Sequence, residues 1–294
     1  MVFQKEIQYK SADMAVDLAD LYLLRKVEDS RHSFRGQLFK MLKTLEKSPT
    51  SKFLLKACAK HHVKISEDSL LPQGTSFFYD WHNRFDVPIQ SKAFKDSDKA
   101  LGEYIIALVS GLRRAWHHHF GNALKIDLLP KSFLKYYRFL EADVETVTLL
   151  VCWELRLAGV MAPWRQYISG KSGDMAMVFS HCVDTQPKSK FNGSALRVTF
   201  DHWFSNAERS TLVDHEALEI LDMLLLDHKK ANLIGCRGLL TEDLQSIGRL
   251  GNQSNYLKNN DFHGSSFNGL QDDFNQAHLR HIMIDLQYVK EKTI

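Results

Sequence analysis

Apolar residues at Met14, Leu18, Leu21 and Tyr22, and again at Phe34, Leu38, Met41, Leu42 and Leu45, recur at the three- and four-residue spacing of one helix face. This spacing predicts two amphipathic helices within residues 11–45, broken near Glu28-Asp29-Ser30. The Ser48-Pro49-Thr50 sequence then punctuates the chain and caps a helix over 51–62. Two runs rich in aromatic and β-branched residues, 76–81 and 85–89, flank His82-Asn83-Arg84 and read as a hairpin. Pro88 confines its strand to a sheet edge or a strand end. Ser97-Asp98 caps a helix over 99–119 that buries Leu101, Ile105, Leu108, Leu112, Ala115 and Trp116 and stops at Gly121, which suits a left-handed C-terminal cap.

Pro130 opens another long helix, over 132–157, stopped by Gly159 and Pro163. Residues 170–173 form a loop, 175–183 a short apolar segment and 186–190 a polar connector before the apolar run 196–204. The run 211–226 reads as helix, with Leu218, Leu221 and Leu225 packed. From 235 to 269 the chain turns to Gly, Asn and Ser and reads as an irregular surface region, before apolar spacing returns over 272–289. No repeat of fixed period is present. The expected fold is thus α/β of the α+β kind, mainly helical: an N-terminal helical extension (1–48), a core of long helices with a small hairpin or sheet (49–234), and a Gly/Asn-rich region with a closing segment packed on the core (235–294).

Composition narrows the classes. Over 294 residues, 44% hydrophobic and 25% charged content is that of a folded globular chain. The net charge of +3 is too small to imply a polyanion partner, which requires clustered cations on one face. Arg31, Arg35, Lys40, Lys43 and Lys47 do gather on one predicted helix, as a solvated face or, alternatively, a nucleic-acid or surface contact. Without a signal-like N-terminus or a membrane-spanning run, a cytoplasmic location is expected, with no membrane partner. Cys58, Cys152, Cys182 and Cys236 form no Cys-x-x-Cys pair and read as free buried thiols. His278 and His281 read as a solvent-facing pair, and five tryptophans (Trp81, Trp116, Trp153, Trp164 and Trp203) as core. No nucleophile elbow and no phosphate-binding glycine loop is present.

The helix around 109–117 reads Val-Ser-Gly-Leu-Arg-Arg-Ala-Trp-His, and 139–145 reads Phe-Leu-Glu-Ala-Asp-Val-Glu. Together with Leu150-Val-Cys-Trp-Glu-Leu-Arg-Leu-Ala-Gly159, Phe200-Asp-His-Trp-Phe204 and Gly251-Asn-Gln-Ser-Asn-Tyr-Leu257, these stretches resemble a bacterial family of unknown function described as metallopeptidases, over about residues 52–257. The resemblance implies a zincin-like core. It also directs attention to the motif His-Glu-x-x-His, in which two histidines four apart ligate zinc and the glutamate polarises water. Against the pattern Leu-x-His-Glu-Leu-Arg-His-Ala-Trp, Leu112, Arg113, Ala115 and Trp116 match, but Ser110, Gly111 and Arg114 stand where the first histidine, the glutamate and the second histidine belong.

All three essential positions are therefore lost, and a catalytic zinc needs three protein ligands. Arg114 adds a fixed cation where a ligand would sit, and is expected to pair with Glu141, Asp143 or Glu145, the stretch that resembles the source of the third ligand. This predicts a protein without catalytic residues or cofactor, retained to bind a protein or peptide along the hairpin edge through residues such as Phe77, Tyr79 and Phe85. The alternative is a zinc-dependent hydrolase with displaced ligands, among His118, Glu141 and Glu145 together with Asp143 and His117. Three successive helical histidines, His117 to His119, point about 100° apart and cannot share one ion.

Overall fold

The computed structural model describes residues 15–24, 33–88, 98–251, 255–260 and 262–293. Expectations for Met14, the 28–30 break, Arg31, Ile89, Ser97 and residues 252–254 lie outside them. The chain forms two compact units: unit 1 comprises residues 1–119 and 147–174, and unit 2 residues 120–146 and 175–294.

Unit 1 contains β1 (Val16–Asp17), α1 (Phe34–Leu45), α2 (Pro49–Lys60), β2 (Lys64–Asp68), β3 (Phe77–Tyr79), β4 (Arg84–Pro88) and α3 (Asp98–His119). The later part of α4 (Pro130–Leu157), from Val147, and α5 (Ala162–Ser169) complete it. The strands lie in the order β1-β2-β4-β3. The hairpin is present: β3 and β4 pair antiparallel, joined by a short 3-10 turn and by Asn83 in the left-handed conformation at φ 47°. Pro88 ends its strand opposite Asp68, yet β4 itself is central and wholly buried, paired in parallel with β2 on its other side. Of the two hairpin strands, β3 is the one at a sheet edge, and β1 lies at the other edge.

The first predicted helix gives way to β1 and a single π-helical turn over Ala19–Leu23. Val16 and Asp17 pair with Ile65 and Lys64, and Asp17 Oδ1 accepts a hydrogen bond from Ala19 N at 2.7 Å, so pairing with the sheet overrides the helical spacing. Leu18 and Leu21 are still fully buried, as that spacing required.

Caps account for the helix starts. Ser33 and Ser48 accept hydrogen bonds from the backbone of Gly36 and Ser51, at 3.2 and 3.0 Å, and Pro49 occupies the first turn of α2. The Glu154 carboxylate, from α4, accepts from the Ser48 hydroxyl, from Thr50 N at 3.0 Å and from Thr50 Oγ1 at 2.8 Å, which ties that end of α2 to α4. Gly121 and Gly159, at φ 91° and 83°, follow the ends of α3 and α4 as the sequence requires. Trp81 corrects the tryptophan expectation, for at 71% exposure it sits on the turn between β3 and β4, outside the core.

Unit 2 contains α4 through Thr146, most of α6 (Gly173–Thr185), α7 (Ser189–Asn192), α8 (Ser194–Trp203), α9 (Ala207–Leu226), α10 (His228–Ala231), α11 (Thr241–Ile247), α12 (Ser265–Asn268) and α13 (Asp273–Thr293). The apolar segment 175–183 is thus the body of a helix. Phe139 of α4 lies in an aromatic cluster, 5.3 Å from Phe200, 5.2 Å from Phe204, 4.9 Å from Phe262 and 5.5 Å from Phe267 between ring centroids. Two of these rings, with buried Leu250, Tyr256 and Leu257, come from the Gly/Asn-rich region. That region is therefore core-forming and carries α11 and α12, because its apolar residues are anchored singly and without a period.

Arg138 and Asp214 form a buried bidentate pair, Nε and Nη2 donating to the two carboxylate oxygens. His278 is also corrected. It is not solvent-facing but half-buried, with Nε2 2.6 Å from Asp222 Oδ2. Of the cysteines, Cys58 and Cys152 are buried, with burial raising both thiol pKa values, whereas Cys236 is exposed. No helix among the described residues is long and apolar enough to cross a membrane.

Candidate functional site

The segment that carries the motif positions lies in the middle of α3, a helix packed against α2, α5, β3 and β4. Glycine in a helix interior costs about 1 kcal/mol relative to alanine, so its presence at 111 asks for a local reason. The reason is Phe85. A Cβ built on Gly111 would sit 2.3 Å from Cδ2 and 2.6 Å from Cε2 of the Phe85 ring, on fully buried β4. The space into which a side chain at position 111 would project is filled by an aromatic ring. Phe85 is accordingly a core residue, which removes it from any exposed binding edge.

Ser110, one position earlier, is buried and bonds to Ala107 O and to Ser76 Oγ, both at 3.0 Å. Arg114, one turn later, donates from Nη1 to the same Ser76 at Oγ (3.0 Å) and O (3.3 Å). Ser76 precedes β3 and is buried, so the serine and arginine of α3 converge on the entrance to the edge strand. Ser76 had no signal in the sequence: it lies 34 residues before Ser110 and belongs to no motif.

On the other side of β4, Arg84 Nε lies 3.0 Å from Asp86 Oδ1 and its guanidinium stacks 5.1 Å from the Tyr79 ring centroid, while the Ser66 hydroxyl donates to Asp86. Burial holds the Asp86 carboxyl above the usual carboxylate range, opposed by the Ser66 hydrogen bond and Arg84.

The acidic residues of α4 belong to unit 2. Glu141 and Asp143 are buried and Glu145 is partly so, and Asp143 Oδ1 accepts a hydrogen bond from the buried Tyr256 hydroxyl at 2.6 Å. Glu141 and Glu145, four apart, share a helix face, whereas Asp143 is rotated about 200° from Glu141.

The three histidines at the end of α3 diverge as their spacing requires. His117 is buried edge-on to Trp116. His118 has Nδ1 3.4 Å from Asp80 Oδ1, and that carboxylate raises its pKa. His119 stacks on His61 at 4.4 Å. Its Nε2 lies 2.7 Å from Asn83 Oδ1. Because the Asn83 amide nitrogen donates to His61 O and His62 O, its oxygen is the acceptor and His119 carries the proton on Nε2. Burial first, then the neighbouring His61 and His118, lower the His119 pKa to about 4. Among the described residues no group of three His, Cys, Asp or Glu side chains is placed to hold a metal ion.

The family model described as "Putative metallopeptidase family (DUF6782)" matches residues 32–257. The chain belongs to this family. No curated protein and no solved structure matches it. The matched span of this metallopeptidase family includes α3 with Ser110, Gly111 and Arg114, the α4 acidic stretch and the strands that flank them, whereas α12 and α13 lie beyond it.

Proposed function

We propose that this member of the metallopeptidase family has no peptidase chemistry and serves to bind a protein or peptide segment by adding it to the edge strand β3. The observation that carries the first part is the Phe85 ring on Gly111: a glutamate able to polarise water has no volume there. Serine, glycine and arginine at the three motif positions supply a neutral hydroxyl, no side chain and a permanent cation, none of which replaces a histidine or carboxylate ligand. Both polar groups are engaged with Ser76, which turns the motif helix into a support for the start of β3.

The second part rests on β3, which among the described residues is an end strand of the four-stranded sheet. It presents Phe77 and Tyr79 with ring centroids 4.7 Å apart. A strand added there gains backbone hydrogen bonds for affinity and two aromatic side chains for selectivity. Its short length protects it from indiscriminate edge pairing.

The test is selection of heptapeptides from a random display library, followed by amide exchange of the protein with the selected peptides. Peptides that slow exchange at residues 77–79, and lose binding at least about tenfold with the Phe77→Ser/Tyr79→Ser variant, are the expected result. Selected peptides that protect other segments and bind the variant equally would refute the edge-strand reading.

A further inference from the structure

Unit 2 holds a cavity of about 850 Å³, within the range of small-molecule pockets. Two helices form its walls with regular stripes. From α4 come Lys131, Lys135 and Arg138, spaced four and three apart and so on one face; from α13 come Gln276, Leu279, Arg280 and Met283, again at helical spacing. Leu239, Leu240, Leu244 and Phe262 supply apolar lining. Among the described residues that line it there are four cationic side chains, one of them Arg138 already paired with Asp214 behind the wall, and no carboxylate.

Arg138 is the built part of this site. At 3% exposure it is fixed by Asp214 through Nε and Nη2, which leaves Nη1 outside that pair on a guanidinium that cannot swing away. Lys135 is held in place as well, its Nζ donating to Phe262 O and Asn268 Oδ1, both at 2.8 Å. Lys131 and Arg280 are exposed at the same cavity. A rigid guanidinium with further cations, set among leucines and a phenylalanine, matches a molecule with one anionic head and an apolar body.

We propose that this cavity binds an amphipathic organic anion, its carboxylate or phosphate head held by the α4 cations and Arg280 and its apolar part lying against Leu239, Leu244 and Phe262. Every lining residue belongs to unit 2, and the α13 wall lies outside the family-matched span. It stands whether or not β3 binds peptides.

The experiment is calorimetric titration of the full chain with dodecanoate, with dodecyl phosphate and with dodecyltrimethylammonium as the cationic control. Saturable binding of about one anion per chain and none of the cation is expected; the tighter of the two anions identifies the head group. Lys131→Glu/Arg280→Glu, both surface changes that leave the buried pair intact, should weaken the anions tenfold or more, about the value of one charge-assisted contact. Met283→Trp, which fills the cavity from a half-exposed position, should weaken both anions with no change in charge. Equal binding of anion and cation, no saturable binding of either anion, or anion affinity untouched by both variants would overturn the proposal.

Discussion

Glutamate placed at position 111, where the peptidase pattern has its water-polarising residue, is expected to unfold the protein rather than activate it. The new Cβ would meet the Phe85 ring at 2.3 Å, and the carboxylate beyond it would enter the contact between α3 and β4. Overpacking alone costs about 1–3 kcal/mol, and an unpaired buried carboxylate adds several more, so a loss above about 4 kcal/mol is expected for Gly111→Glu. Gly111→Ala separates the two effects. It carries the steric part alone, offset by about 1 kcal/mol of helix propensity, and a net loss of at most about 2 kcal/mol is expected. Shrinking the ring should recover part of this. In a cycle with Phe85→Leu, the double variant should be more stable than the sum of the single changes by about 1 kcal/mol, as read by denaturant unfolding. Simple additivity would mean that the Phe85 ring and position 111 of the helix are not in contact.

The second large effect is expected in unit 2. Arg138→Met leaves Asp214 as a buried carboxylate without its bidentate partner, and breaking such a pair from one side costs about 3–5 kcal/mol. Replacing both partners, Arg138→Met with Asp214→Leu, should restore most of that loss, since apolar residues of similar volume commonly substitute for a buried pair. Thermal unfolding of the three variants reads this directly. A single variant as stable as the parent would show that the pair is not desolvated as its 2–4% side-chain exposure implies.

The elements that frame the site were legible in the sequence because their signals are local. Ser48-Pro49, the apolar spacing of 99–119 and the terminating Gly121 and Gly159 announced α2, α3 and α4 to within a few residues. That Ser110, Gly111 and Arg114 do not make a His-Glu-x-x-His motif was also legible, since the motif depends on residue types four apart on one helix. What surrounds it was not. The parallel pairing that places Lys64 opposite Arg84 joins segments 20 residues apart with no periodic signal, so β4 read as one arm of an exposed hairpin when it is the buried centre of the sheet.

Phe85 looked like an edge residue for the same reason. Gly111 carried a clue, a glycine in the middle of an otherwise apolar helix, but its partner ring could be named only from the fold. In 235–269 composition misled, because Tyr256, Phe262 and Phe267 are separated by polar residues and nonetheless converge in the core near Phe139 and Phe200. The stripe Lys131, Lys135 and Arg138 could be read from spacing, but its meaning depends on α13 closing the cavity more than 130 residues later.

The central claim, that the peptidase site has lost its metal chemistry by the identity and packing of Ser110, Gly111 and Arg114, is tested most directly by elemental analysis. Tag-free protein purified without chelator should carry zinc and other transition metals at background level. Near-stoichiometric metal, accompanied by peptide hydrolysis that chelation abolishes, would contradict the account and make the chain a hydrolase with displaced ligands.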